Sequence, residues 1–261
     1  MSSSIAGNLP GTLSADYLRR LHGRHLFLQP HLDDIPFSLG HLLERKLLNE
    51  CNYEFWTVFG KEFFNIRQYE HDENTVSILK DEERRWFEAE GHQINRLDLE
   101  EAGYRGVTSV RRLFRTNLYQ DAGLDYEGLG YGNWSVVVDA VRKIVQSGAS
   151  FIWAPAGIGG HCDHLALRQA VIHAAKTEPG IKGLLFYHEL PYSQYSRMIN
   201  WEKFEIEDFQ MEGCLEHHPT EKETRRKTES ISIFYSQITD RQAYSLSTHL
   251  EKVAVWIRRI K

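Results

Sequence analysis

The stretch FLQPHLDDIPFSLG, residues 27–40, decides how the rest of the chain is read. An apolar run ends in His31, Asp33 and Asp34, and small and apolar residues follow at once. A solvated loop would scatter its charges. Here three groups able to bind a metal or move a proton fall within four residues. HLFLQP reads as a short buried strand and PFSLGHLLERKLLNE as the helix after it. The three side chains therefore stand at the carboxyl end of a strand, where ligands bind in open α/β sheets.

The same rhythm continues outward. YEFWTVFG reads as a second strand, SILKDEERRWFEAEGHQI as a charged helix with apolar residues at helical spacing, and NRLDLE as a third strand. WSVVVDAVRKIVQSG is a helix stopped by Gly148, followed by the strand SFIWAP. DHLALRQAVIHAAK is a helix and GLLFYHE a strand. TEKETRRKTESISIFYSQI and RQAYSLSTHLEKVAVWIRRI both read as helices. Strands alternating with helices give βαβ units, hence a Rossmann-like α/β fold: a mainly parallel sheet with helices on both faces. No repeat or long linker divides residues 1–261, so one domain is expected. Residues 103–133, rich in Gly, Tyr and Arg, are longer than a usual connection and read as an active-site lid.

Bulk properties remove several classes of function. A chain of 261 residues can bury roughly 70–75% of its unfolded surface, which suits an enzyme core. A net charge of −5 gives no general attraction to nucleic acid or anionic membranes. No apolar run is long enough to span a bilayer, and the first residues lack a signal peptide's apolar region, so a cytoplasmic protein is expected. Cys51, Cys162 and Cys214 have no CxxC spacing and read as reduced thiols. The expected partner is a small-molecule substrate. Nothing in the sequence fixes an oligomeric state.

A second stretch, FIWAPAGIGGHCDHLALRQAV, residues 151–171, repeats the opening arrangement. A strand meets a turn containing Gly157, Gly159 and Gly160, and His161, Asp163 and His164 precede the next helix. The turn has neither dinucleotide nor P-loop spacing. Two strand ends of one sheet could bring all six side chains together. That inventory suits a zinc hydrolase, which needs three ligands, a carboxylate base and a proton donor. The sixth group remains to orient another.

At these residues the chain resembles the PIG-L/LmbE-like zinc-dependent de-N-acetylases. Pro30-His31-Leu32-Asp33-Asp34 and His161-Cys162-Asp163-His164 match the family's two motifs, in order. RRWFEAEG, FYHELPYS and FYSQI resemble weaker family features, the last a terminal helix carrying Ser-Gln. The resemblance implies that His31, Asp34 and His164 bind zinc, iron(II) being the alternative for such a donor set. It further implies that Asp33 is the general base, and that His161 assists the oxyanion or protonates the leaving amine. Asp163 would orient His161 and favour its charged form. The implied reaction removes an acetyl or related acyl group from an amino sugar, such as a natural-product intermediate.

Two departures stand out. Ile35 replaces a common Glu, and Gly159 stands where some members carry a tyrosine that helps the oxyanion. Tyr119, Tyr126 or Tyr131 of the lid region could supply that help. For substrate contacts, Arg85 lies in the Arg-x-x-Glu match and Tyr192 in an aromatic cluster with Tyr187, Tyr195 and Trp201. Arg111, Arg112 and Arg115 could meet an anion, though a solvated face is the plainer reading. His217 and His218 read as exposed loop residues. The alternatives are an amidase for a larger amide such as a thiol conjugate, a binuclear phosphoesterase, a Cys162 nucleophile assisted by His161, and a non-catalytic metal- or sugar-binding protein.

Overall fold

The computed structural model describes residues 11–45, 52–62, 64–67, 73–107, 134–195, 201 and 204–259. Strands β1 (Thr12–Leu13), β2 (Arg24–Gln29), β3 (Asn52–Thr57), β4 (Ile94–Arg96), β5 (Phe151–Pro155), β6 (Gly183–Tyr187), β7 (Phe209–His217) and β8 (Glu251–Arg258) form one sheet. Its order is β1-β7-β8-β6-β5-β2-β3-β4. Neighbours from β6 to β4 run parallel, whereas β8 is antiparallel to both β6 and β7. The helices are α1 (Asp34–Glu44), α2 (Glu73–Ala89), α3 (Trp134–Val145), α4 (Cys162–Thr177), α5 (Tyr192–Tyr195), α6 (Glu221–Ile231) and α7 (Asp240–Ser247).

Both faces of the sheet are covered, so the central strands β5 and β6 are buried at every position. Their side chains still alternate. Ile152 and Ala154 of β5 join Val141, Leu165 and Val171 in a core with α3 and α4. Phe151 and Trp153 join Ile35, Trp86 and Ile231 on the opposite face, with α1, α2 and α6. Phe27 of β2 stacks between its neighbours, its ring 4.7 Å from Trp153 and 4.8 Å from Phe55. Each such side chain contributes roughly 1.5–3 kcal/mol by burial.

The mainly parallel α/β sheet is the fold the sequence predicts, with corrections at its C-terminal end. RQAYSLSTHLEKVAVWIRRI is a short helix followed by a strand, because α7 ends before Thr248 and β8 begins at Glu251. The apolar run in β8 suits either period by itself; insertion between β6 and β7 decides for the strand. The helix read through residue 238 stops at Ile231, so Ser236 and Gln237 lie in a turn. There Ser236 N donates to Glu82 Oε1 at 3.0 Å. β7, which the sequence reading passed over, alternates buried Phe209, Gly213, Leu215 and His217 with less buried residues. Gly213 is required: a Cβ on it would lie 2.2 Å from the Gly11 carbonyl oxygen.

Candidate active site

Sheet order changes direction between β2 and β5. From β2 the chain steps outward to β3 and β4, and from β5 it steps the other way to β6. The carboxyl ends of these neighbours flank the crevice that such a switch point creates. β2 delivers His31, Asp33 and Asp34 there, and the glycine turn after β5 delivers His161, Asp163 and His164. The six residues converge as the two motifs predict.

Three side chains meet at the centre. His31 Nδ1 lies 3.3 Å from His164 Nε2 and 3.5 Å from Asp34 Oδ2, and His164 Nε2 lies 3.5 Å from Asp34 Oδ1. Ligand atoms held at tetrahedral zinc distances stand about 3.3–3.4 Å apart, so the two ring nitrogens are spaced to share a divalent ion, with a different Asp34 oxygen facing each ring. Each of these two rings is backed by a carboxylate on its other nitrogen. His31 Nε2 lies 3.1 Å from Asp163 Oδ2, and His164 Nδ1 lies 3.0 Å from Glu189 Oε1. Such pairs fix tautomer and ring orientation. Asp163 is anchored in turn by the Ala102 amide at 2.9 Å and by Arg105 at 2.5 Å. Glu189 accepts the Gly157 and Ile158 amides at 2.5 and 3.2 Å, tying the glycine turn to the end of β6.

Asp33 sits at the N-cap position of α1 yet makes no capping hydrogen bond. Its carboxylate instead lines a cavity of about 610 Å³ with His31, Asp34 and His161. Burial, reinforced by the Asp34 charge, pushes its pKa up to about 7, the range that suits a general base. His161 moves the other way. Burial first, then the neighbouring His31, lowers it to about 3, outweighing the opposite pull of Asp163. The sequence reading of a charged His161 is therefore corrected to a neutral ring. Its Nδ1 accepts from Asp163 N at 3.3 Å, which leaves the ring proton on Nε2. Cys162 is fully buried and its thiol is pushed up to about 12 by burial, which makes it a poor nucleophile.

The structure sorts the remaining candidates. Tyr192 lines the cavity, its ring 6.3 Å from that of His161 and 5.4 Å from that of His164. It also explains Gly159, where φ is +81° and a Cβ would lie 3.0 Å from that of Tyr192. Arg85 is exposed on α2 and is not among the cavity-lining residues. Tyr187 and Trp201 are buried; Tyr187 Oη donates to the Leu28 carbonyl, and Trp201 Nε1 to His188 Nε2. His217 is buried at the end of β7 and meets the His41 ring edge-on, contrary to its reading as a loop residue, while His218 is exposed. Tyr119, Tyr126, Tyr131, Arg111, Arg112 and Arg115 lie outside the described residues, as do residues 108–133 of the expected lid. Glu62, Glu101 and Glu189 escaped the sequence reading as site residues. Only Glu189 carried a signal, an acidic residue just before LPY.

No family model matches the chain. Its fold is similar to that of teicoplanin deacetylase in a zinc-inhibited form, with a TM-score of 0.66 and 17% identity over 90% of this chain and 98% of that one. The N,N'-diacetylchitobiose deacetylase of Pyrococcus horikoshii gives a TM-score of 0.53 and 14% identity, covering 84% of this chain and 72% of that one. In sequence, the chain is 31% identical over 199 residues to the 2'-N-acetylparomamine deacetylase of Streptomyces fradiae. That match takes in 74% of this chain and 66% of the relative, just under two thirds of its length. With this relationship, the shared fold and both motifs meeting at the switch point, the chain belongs to the PIG-L/LmbE-like family of de-N-acetylases.

Proposed function

We propose that this chain is a zinc-dependent hydrolase that removes an N-acetyl group from an amino-sugar-containing small molecule of natural-product metabolism. The observation that carries this reading is the convergence of His31, Asp34 and His164, whose ring nitrogens lie 3.3 Å apart with an Asp34 oxygen 3.5 Å from each, beside the Asp33 carboxylate, which makes no capping hydrogen bond. Bound there, a zinc ion supplies Lewis acidity toward the amide oxygen and lowers the pKa of a coordinated water to about 7.

The protein residues account for the proton traffic. Asp33 takes a proton from the attacking water. With a pKa of about 7, it can return that proton to the departing amine nitrogen. His161, neutral and protonated on Nε2, donates a hydrogen bond to the oxyanion. Asp163 and Glu189 hold the two ligating rings in register. Tyr192 forms part of the wall against which the sugar packs. Water and the amide are consumed; acetate and the free amine leave. The relative that acts on 2'-N-acetylparomamine supports an amino-sugar substrate.

Asp33→Ala tests the assignment. The variant keeps its metal, because His31, Asp34 and His164 are intact, while acetate release from N-acetylated amino sugars falls about 10²–10⁴-fold. Turnover unchanged with metal retained would remove Asp33 from the mechanism.

A further inference from the structure

The glycine turn that presents His161 touches the segment after β6 at one point. A Cβ on Gly159 would lie 3.0 Å from the Tyr192 Cβ, 3.2 Å from its Cγ and 3.3 Å from its Cδ1, so a side chain there would crowd the tyrosine. Glycine at this position admits the Tyr192 ring to the cavity wall. The ring lies at 26° to that of His161 with centroids 6.3 Å apart, and edge-on to that of His164 at 87° and 5.4 Å. Both halves of the site fix this placement. Ser193 N donates to the Glu189 carbonyl at 2.8 Å, and the Glu189 side chain holds His164 and the Gly157 and Ile158 amides. Leu190 N donates to Ser38 Oγ at 3.1 Å, which ties the same segment to α1 and so to Asp34.

Attack on an amide places negative charge on the former carbonyl oxygen, and preorganised donors aimed at that position lower the barrier. The Asp34 carboxylate on the same wall opposes such a charge, so neutral donors must meet it. At the far side of the cavity two side-chain amides are already engaged. Gln237 donates to the Phe64 carbonyl at 2.8 Å, and Gln242 closes the N-terminal cap of α7 with Thr239. His161 and Tyr192 carry neutral donors on rings that both stand against the His164 ring, at 5.1 and 5.4 Å.

We propose that the Tyr192 hydroxyl is a second donor to the oxyanion beside His161, which makes Tyr192 a catalytic residue as well as part of the wall. This rests on the deacetylase reading and adds a group to its machinery. The phenol keeps its proton throughout. It gives a hydrogen bond that strengthens as charge develops on the substrate oxygen, and it forms and breaks no covalent bond. A donor of this kind acts on the transition state more than on the bound substrate, so its loss appears in kcat.

The zinc-loaded enzyme is compared with Tyr192→Phe and Tyr192→Leu on N-acetylglucosamine and its methyl glycoside. The Phe variant keeps the ring against His161 and loses only the hydroxyl. The inference predicts that its kcat falls about 10²–10³-fold while KM and zinc content hold, and that the Leu variant falls at least as far. A second readout needs no turnover. Affinity for an inhibitor in which a methylphosphonamide replaces the acetamide, its anionic oxygens standing for the oxyanion, falls in Tyr192→Phe, while affinity for glucosamine holds. Full kcat in Tyr192→Phe with activity lost only in Tyr192→Leu, a change confined to KM, or undiminished affinity for the phosphonamide overturns the inference. Each of these leaves Tyr192 as wall and the deacetylase reading standing. Acetate from neither sugar, with zinc bound to the unaltered enzyme, removes both.

Discussion

Asp33 and Asp34 are chain neighbours with opposite surroundings, and the difference assigns their tasks. Asp34 Oδ2 accepts from His31 N at 2.9 Å, and both its oxygens face imidazoles. Burial raises its pKa, but His164 and His31 together bring it below the ordinary value, as suits a ligand that stays charged. For Asp33, burial and the Asp34 charge outweigh the same imidazoles and push its pKa up to about 7. Both residues were legible in one short motif, Pro30 to Asp34, because their spacing is local. It could not show what backs the neighbouring histidines: Glu189 is 25 residues from His164, and Asp163 is 132 from His31. Glu189→Gln tests the backing. Its amide keeps one acceptor for the glycine turn but loses the charge behind His164, so metal affinity measured against a competing chelator falls about 10–100-fold. An unchanged affinity would make Glu189 a turn anchor alone.

At the scale of elements, the helix that presents Asp34 is held from outside its own ladder. Glu251 at the start of β8 accepts the His41 and Leu42 amides at 2.8 and 2.9 Å, and Lys227 of α6 donates to the Phe37 carbonyl and to Glu251, each at 2.6 Å. The Lys227 and Glu251 side chains are at most 1% exposed. Removing one partner strands a buried charge, so Lys227→Met costs about 3–5 kcal/mol of unfolding free energy in denaturant titration. Adding Glu251→Gln to that variant restores part of the loss; a double variant no better than the single one would show that the pair's charges are not coupled. α2 and α3 were legible in the sequence because their apolar residues recur at helical spacing over several turns. β8 was not. Its apolar run VAVWI fits either a helix or a strand, and its two strand neighbours select between them.

At the scale of the whole molecule, the site exists because β2 and β5, separated by 121 residues between Gln29 and Phe151, lie side by side. Alternating elements announced a parallel sheet, yet strand order is a property of packing and no local pattern in the sequence records it. Under the proposed function, an ion held by His31, Asp34 and His164 would join the two halves of the sheet across that switch point. At a metal concentration near 100 times Kd it should add about 2.7 kcal/mol, raising the thermal midpoint by about 5–10 °C over the metal-free protein. No described helix is long and apolar enough to cross a membrane. The most direct test of the central claim is acetate release by metal-stripped protein titrated with zinc, with an N-acetylated amino sugar as substrate. The account predicts none without metal, a rise that levels off at about one ion per chain, and no recovery in His164→Ala. Acetate release that survives stripping, or a chain that neither binds zinc nor gains activity from it, would contradict the account.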